Sequence, residues 1–287
     1  MRGAPGTSEA TIQSYLGIFS PSRATYQVRV PGDALLSAPM NGDIFGSGTT
    51  TALDILQDDP SRVRDLAVGF GSIRTLRADA SATAPEVVAD LRLVDNRLQG
   101  TVTNRSDATL EAAAIVVGSS AARLGDIAPG AVAEVDLAVN ANPFNGIALS
   151  ERIFGPQNWD GSALSEAEQR TLVRRSVIDQ ISYDPMTGMP NAVPSDSATL
   201  MTWSTEPVVP IEIEDQQVRR MANVLTQVPL AFAISGKTSF TNDLLRSSVV
   251  EVGANFFSKD PWSLNLGPGT ARVAYRPIPF EGRFTPT

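Results

Sequence analysis

The chain has 287 residues, a length that allows one large domain or two of ordinary size. Its net charge of −8 and pI near 4.7 argue against nucleic acid, because displacing counterions from a phosphate backbone takes clustered Lys and Arg. It contains no cysteine and no histidine, which removes disulfides, thiolate and imidazole metal ligands and the commonest general base together.

The 22 glycines and 20 prolines punctuate short apolar runs, the pattern of a many-stranded β protein. Met1 to Thr7 lacks the apolar core of a signal peptide, and neither Ala112 to Val117 nor Pro229 to Ile234 is long enough to span a bilayer. Ala24 to Val30 sets Tyr26, Val28 and Val30 on one face and Gln27 and Arg29 on the other, a strand that Pro31-Gly32 ends. Asn41 to Pro60 reads as loop with short strands, and Val63 to Arg77 as extended chain through Val68, Phe70 and Leu76. Leu91 and Leu93, the turn pair Asp95-Asn96, then Leu98, Gly100 and Val102 spell a hairpin. Asn104 to Asp107 is the next turn, Ala113 to Gly118 a buried strand, Gly125 to Gly130 a loop, and Val135, Leu137 and Val139 another strand. Four strands in about fifty residues is the spacing of a sandwich.

One helix is expected, from Glu166 to Ile181, because Ser165 and Glu168 form a capping box and Leu164 sits where a hydrophobic staple starts. Val173, Val177 and Ile181, with Leu172 and Ile178 beside them, form the stripe expected to pack on a sheet, leaving Arg170, Arg174 and Arg175 on other faces. Tyr183 to Ser197 reads as loop. Leu200 to Trp203 and Val208 to Ile213 read as strands, the latter at an edge because of Pro210. Val218 to Thr226 stays open between helix and strand. Val228, Leu230, Phe232 and Ile234 alternate as one strand, and Val249 to Val252 and Thr270 to Tyr275 complete the set. The fold class expected is mainly β, a β-sandwich module within a larger β-rich assembly with one main α-helix. Its regions are an N-terminal β region at 1–84 packing with the C-terminal part, the sandwich at 85–140 and a mostly β remainder at 141–287.

Motifs that could carry chemistry are sparse. Gly236-Lys237-Thr238 follows a strand like the tail of a phosphate-binding loop, but the position of its first glycine is Ala231. Gly69-Phe70-Gly71 lacks the third glycine of a dinucleotide fingerprint, since that residue is Arg74. Lys237 beside Ser235 or Ser239, and Lys259, would make a Ser-Lys dyad only if a lysine were buried enough to lose its proton. Paired carboxylates remain open to a chain without histidine, and Asp54, Asp58, Asp59, Glu166 and Glu168 are the densest, a clustering that 31 acidic residues also give by chance. Asn158-Trp159-Asp160-Gly161 is a faint echo of a calcium loop. Trp159, Trp203 and Trp262 with Phe256, Phe257 and Tyr275 are the candidates for a sugar-stacking platform. Asn104-Arg105-Ser106 matches a glycosylation sequon. No catalytic, cofactor-binding or metal-binding residue is assigned, and no cofactor is expected.

Leu98 to Glu111, Ile115 to Gly118 and Leu124 to Gly130 resemble Ig-like or fibronectin-like sandwich modules of bacterial envelope proteins, across Pro85 to Asn140. Tyr15 to Val28 and Tyr275-Arg276-Pro277 are similar to large ectodomains of membrane-anchored proteins from high-GC bacteria. The resemblance implies an extracytoplasmic, membrane-anchored location, a chain excised from something longer, and no catalytic residue. The expected function is a non-catalytic structural or partner-binding region of an envelope protein, accessory to transport, and not an enzyme. Its partner would be an unknown protein or the rest of its own membrane-anchored chain, with no nucleic acid. The alternatives are a carbohydrate-binding module and a carboxylate-based glycoside hydrolase.

Overall fold

The structure, a computed structural model, describes residues 1–4, 6–38, 53–139, 147–157, 163–184, 189–190, 197–214, 216–241, 244–259 and 264–278. Strands dominate them, with two helices. The chain divides into two compact units, Met1–Ala84 with Thr205–Val224, and Pro85–Ser204 with Leu225–Thr287.

The first unit begins with β1 (Arg2–Gly3), β2 (Glu9–Ser20), β3 (Ala24–Val30), β4 (Leu35–Ser37), β5 (Asp54–Leu56), β6 (Ser61–Val68) and β7 (Ser72–Thr83). Side chains of a strand alternate between faces, so each strand offers one apolar row. Strands β2 and β7 pair along their whole length and turn Ile12, Ile18, Leu76 and Ala78 inward, while β3 and β6 supply Val28, Val30, Val63, Leu66 and Val68 to the same core. The extended run expected from Val63 to Arg77 is two strands: it breaks at Gly69–Gly71, where Phe70 is exposed on a turn.

The second unit opens with β8 (Val87–Val94), β9 (Arg97–Asn104), β10 (Leu110–Val117), β11 (Ser120–Ile127) and β12 (Val132–Ala138). Asp95 (φ 48°) and Asn96 (φ 61°) make the two-residue turn between β8 and β9, a conformation that Asp and Asn tolerate best among side-chain-bearing residues. Gly100 (φ 141°) faces Leu91 across the pair, and a Cβ there would lie 1.9 Å from the Asp90 carbonyl oxygen. The loop expected at Gly125 to Gly130 is shorter, because β11 runs on to Ile127, which is buried in the core opposite Leu110. The segment therefore holds five strands rather than four. Small residues at Ser120, Ala121 and Ala122 conceal β11 in the sequence, where they carry almost no apolar period.

Next come α1 (Leu149–Phe154), α2 (Glu166–Ile181), β13 (Tyr183–Asp184), β14 (Met189–Pro190) and β15 (Ala198–Ser204), which pairs antiparallel with β10. Leu91, Leu93, Leu98, Val102, Val135 and Leu137 from β8, β9 and β12 meet Leu110, Ile115, Val117, Ala198 and Leu200 from β10 and β15, which makes a β-sandwich. The other faces of β10 and β15 are covered too, by Leu149, Ile153 and Ile178 of the helices packed with Ala114, Val116, Met201 and Trp203. Burial on both faces explains why Ala113 to Val117 reads as an unbroken apolar run.

The chain then contributes β16 (Glu212–Ile213) beside β3, at the edge of the sheet to which β6 and β5 also belong. Only these two residues of the strand expected over Val208 to Ile213 pair, although Val209 is buried in the first unit's core. The strand expected from Val228 to Ile234 is split into β17 (Val224–Leu230), beside β15, and β18 (Ala233–Ser235), parallel to β8. Here the chain crosses from one sheet of the sandwich to the other while Leu230 and Phe232 stay in one core, so the alternation survives the break.

Last come β19 (Leu245–Val252), β20 (Phe257–Lys259), β21 (Leu264–Leu266) and β22 (Ala271–Pro277). Strands β19 and β22 pair, β20 and β21 pair, and backbone bonds from Gly253 to Thr270 and from Gly267 to Phe256 join the two ladders into one long hairpin.

Helix α2 starts as expected. The Ser165 N–H donates to Glu168 Oε2 at 2.7 Å and the Glu168 N–H to Ser165 Oγ at 3.3 Å, both halves of the capping box. Its buried face is a correction. Val173 is 48% exposed, Ile181 is 37% exposed and Val177 is only partly covered, whereas Arg174, Arg175 and Ile178 are buried. The arginines take the inner face because ring faces, a carboxylate and a carbonyl wait for them there.

Candidate functional site

The site is built around α2. Strand β10 is irregular between Leu110 and Ala114, where Ala112 takes φ 43°. The Asp126 carboxylate accepts the Ala112 N–H at 2.7 Å, and Thr202 Oγ1 donates to the Glu111 carbonyl at 3.1 Å, which fixes the bulge from both neighbouring strands. Bulges re-aim side chains. Here Glu111 meets Arg174 of α2, whose Nη2 lies 2.5 Å from Glu111 Oε2, with the Arg174 side chain 8% exposed and that of Glu111 32%. The Arg174 guanidinium also lies 5.2 Å from the centre of the Trp203 ring, so a buried cation gains both a carboxylate and a π face.

Arg175 lies 5.8 Å from the centre of the Phe154 ring and donates to the Gly155 carbonyl. The Phe154 and Trp203 rings sit 6.4 Å apart, tilted by 51°. Gly155 ends α1 at φ 86°, and a side chain there would meet Arg123 Nη2 at 2.8 Å. Arg123 Nε donates to the Arg152 carbonyl at 3.3 Å. The final carbonyls of a helix have no partner within it, and guanidinium groups from β11 and α2 supply two here.

Against the outer side of this cluster lies a cleft of about 570 Å³ lined by Gln157, Leu172, Arg175, Ser176, Asp179, Gln180 and Tyr183. That volume suits a small molecule. Asp179 Oδ1 is buried there and accepts no hydrogen bond, and Tyr183 is 56% exposed. Among the described lining residues Asp179 is the one carboxylate.

The residues singled out from sequence are scattered. Lys237, Ser235 and Ser239 are exposed, and the Ser239 backbone is bonded to the Asn96 side chain, 2.8 Å from its Oδ1 and 2.6 Å from its Nδ2. Gly69 to Gly71 is the β6–β7 turn. Asp54 pairs with Arg64 at 2.7 Å, Asp58 with Arg62 at 3.7 Å and Glu166 with Arg170 at 3.5 Å, Glu168 caps α2, and Asp59 bonds Asp58 Oδ1 through its N–H. Trp203 is buried against Arg174, which removes it from any sugar-stacking platform, while Phe256 and Tyr275 are exposed on the hairpin. Trp159, Trp262 and the Asn158 to Gly161 segment lie outside the described residues. Asn104 of the sequon is fully buried, its Nδ2 donating to the Ala108 and Ile127 carbonyls at 2.8 and 2.9 Å, so it staples the β9–β10 loop. Sequence reasoning missed Glu111, Arg174, Arg175, Asp179 and Tyr183. The available signal was that Arg174 and Arg175 precede Ile178 by four and three positions and share its face, and that long arginine stems pack like apolar chains.

The family model described as Domain of unknown function (DUF8725) matches residues 86–233, just over half of the 287. The chain belongs to the DUF8725 family. No curated protein and no solved structure matches it. The DUF8725 match takes in β8 to β17, both helices, the bulge and the cleft residues named above, and it ends before the β19–β22 hairpin begins. Among the described residues no helix is long and apolar enough to cross a membrane, which leaves strands that cross membranes unaddressed.

Proposed function

We propose that this chain is a non-catalytic structural or partner-binding region of a bacterial envelope protein, extracytoplasmic, membrane-anchored and accessory to transport, with an Ig-like module at Pro85 to Asn140. The hairpin carries the reading. Consecutive residues of a strand face opposite ways, yet Ser248 and Val249 are both exposed, as are Ala274 and Tyr275, so neither face is covered. Val249, Val250, Val252, Phe256, Leu266 and Tyr275 are 43 to 58% exposed, while Leu244 and Ile278 anchor the base in the sandwich core. A two-stranded ribbon is marginal in water, and exposed apolar residues on one mark a surface to be covered. We infer that strands of a partner protein, or of the rest of its own membrane-anchored chain, pair with the edges of β19 and β22 that stay unpaired among the described residues and pack on these side chains.

Hydrogen exchange tests this. In the chain by itself the amides of β19 and β22 should exchange far faster than those of β8, β9 and β10, and should slow when the longer membrane-anchored polypeptide is measured instead. Hairpin amides as protected in the isolated chain as those of β9 would mean that the ribbon needs no partner, and the reading would fail.

A further inference from the structure

We propose that the end of the first unit where the β2–β3 and β6–β7 turns meet docks on an anionic lipid bilayer. This end lies wholly within Met1–Ala84 and is independent of the β19–β22 hairpin. The two turns are neighbours because β2 pairs with β7 and β3 with β6, with Ser20 opposite Ser72 and Ala24 opposite Val68. The Gly71 N–H ties them together by donating to the Ser20 carbonyl at 3.0 Å. Each turn is also braced from within. Ser20 Oγ donates to the Ser22 carbonyl at 2.6 Å and lies 2.7 Å from the Tyr26 hydroxyl, and Ser72 Oγ donates to the Gly69 carbonyl at 2.8 Å.

This braced end presents apolar side chains to solvent. Phe70 is 82% exposed, more than any other large apolar side chain among the described residues, and Phe19 and Ile73, opposite each other on β2 and β7, are 59% and 62% exposed. The exposed parts of three such side chains amount to roughly 400 Å², about half of the ~800 Å² that each partner of a stable protein complex buries. A bilayer asks for no matching surface, only apolar groups that reach past its headgroups. The charge here is one-sided as well. From Gly17 to Thr25 and from Leu66 to Leu76 the charged residues are Arg23 and Arg74, in a chain whose net charge is −8. Arg74 Nε donates to the Ala67 carbonyl at 3.0 Å, which leaves its Nη groups for a phosphate oxygen. An anionic surface attracts these arginines and repels the acidic remainder, which turns this end towards the lipid. Tyr15 lies four residues back along β2, about 13 Å from Phe19. It stands opposite Arg77, which pairs with Asp79 at 2.9 Å. Interfacial elements sink by about 5–10 Å, so the apolar end enters the bilayer and this polar band stops at the headgroups.

The test floats the full chain with vesicles of phosphatidylcholine and phosphatidylglycerol in equal parts, and with vesicles of phosphatidylcholine alone. Wild type should bind the anionic vesicles, less so as salt rises, because screening weakens the pull on the arginines. Phe70→Ser should lower the partition by about tenfold or more, since an aromatic ring no longer enters the lipid, and Arg23→Gln by about fivefold. Both side chains are exposed, so neither change should move the melting temperature. Phe19→Ser with Ile73→Ser is the second variant and should abolish binding, whereas Val250→Asp on the hairpin should bind as wild type does. No binding to anionic vesicles, equal binding to phosphatidylcholine alone, full binding by Phe70→Ser, or loss of binding in Val250→Asp would each overturn the proposal. So would a dimer in sedimentation velocity that Phe70→Ser dissociates while vesicles stay unbound, since a second copy would then be the occupant.

Discussion

The β8–β9 hairpin and the β19–β22 hairpin are built from similar residues, yet they differ in what lies over them. Leu91, Leu93, Leu98 and Val102 of the first are almost wholly buried under a second sheet, whereas Val249, Val250 and Tyr275 of the second meet solvent. Pairing alone therefore does not distinguish a covered strand from an exposed one. Apolar cover does, because burying a valine or leucine is worth about 1.5–3 kcal/mol and a single ladder hydrogen bond about 1 kcal/mol.

The strongest way to break the comparison is Leu98→Asp, which puts an unpaired carboxylate in the covered hairpin. It should destabilise the second unit by at least about 4 kcal/mol, read as a lost or sharply lowered cooperative transition in circular dichroism melts. Glu111→Ala comes next. It removes one carboxylate from the buried Arg174 guanidinium, and since the Glu111 side chain is 32% exposed the loss should be about 2 kcal/mol in urea titration. The pair Glu111→Leu with Arg174→Met should recover most of it, and no recovery would mean that Arg174 matters for its Trp203 contact instead.

A smaller effect belongs to the turn of the covered hairpin. Asn96→Ala keeps a Cβ at φ 61° but loses the bonds to the Ser239 backbone, for an expected cost of about 1–2 kcal/mol by the same titration. Smaller still is the exposed Arg97–Asp136 pair between β9 and β12. Bonding to the Arg97 guanidinium holds the Asp136 carboxyl below its ordinary value. A depressed folded-state value stabilises above the ordinary carboxylate value, so this contribution fades as pH falls through that value towards the depressed one. Asp136→Asn should lower the melting temperature slightly at neutral pH, where the pair is fully charged, and its difference from wild type should vanish as pH falls below the depressed value. Last, Val250→Asp on the uncovered hairpin should not move the melting temperature at all. A drop comparable with Leu98→Asp would show that the ribbon is already packed.

By itself the sequence determined what local chemistry dictates. Asp95-Asn96 set a turn, Ser165 with Glu168 set the start of α2, and period-two rows in Tyr26 to Val30 and Val135 to Val139 set strands and their inward faces, because these signals act over a few residues. The mainly β class follows from their sum. Only the tertiary structure decided the rest. Strand β11 was hidden because its small residues carry no period, and the break between β17 and β18 was hidden because Leu230 and Phe232 serve one core from two sheets. Arginines occupied the inner face of α2 because Glu111, Trp203 and Phe154 converge there from positions far apart in the chain, which no helical wheel displays. The cleft was unreadable for the same reason: Asp179 is an ordinary surface acid on the wheel, and only the packing of α2 against its neighbours buries its oxygen without a partner. Return of 205–224 to the first unit and the bare faces of the last hairpin likewise depend on which elements meet, a matter of long-range burial and not of local sequence.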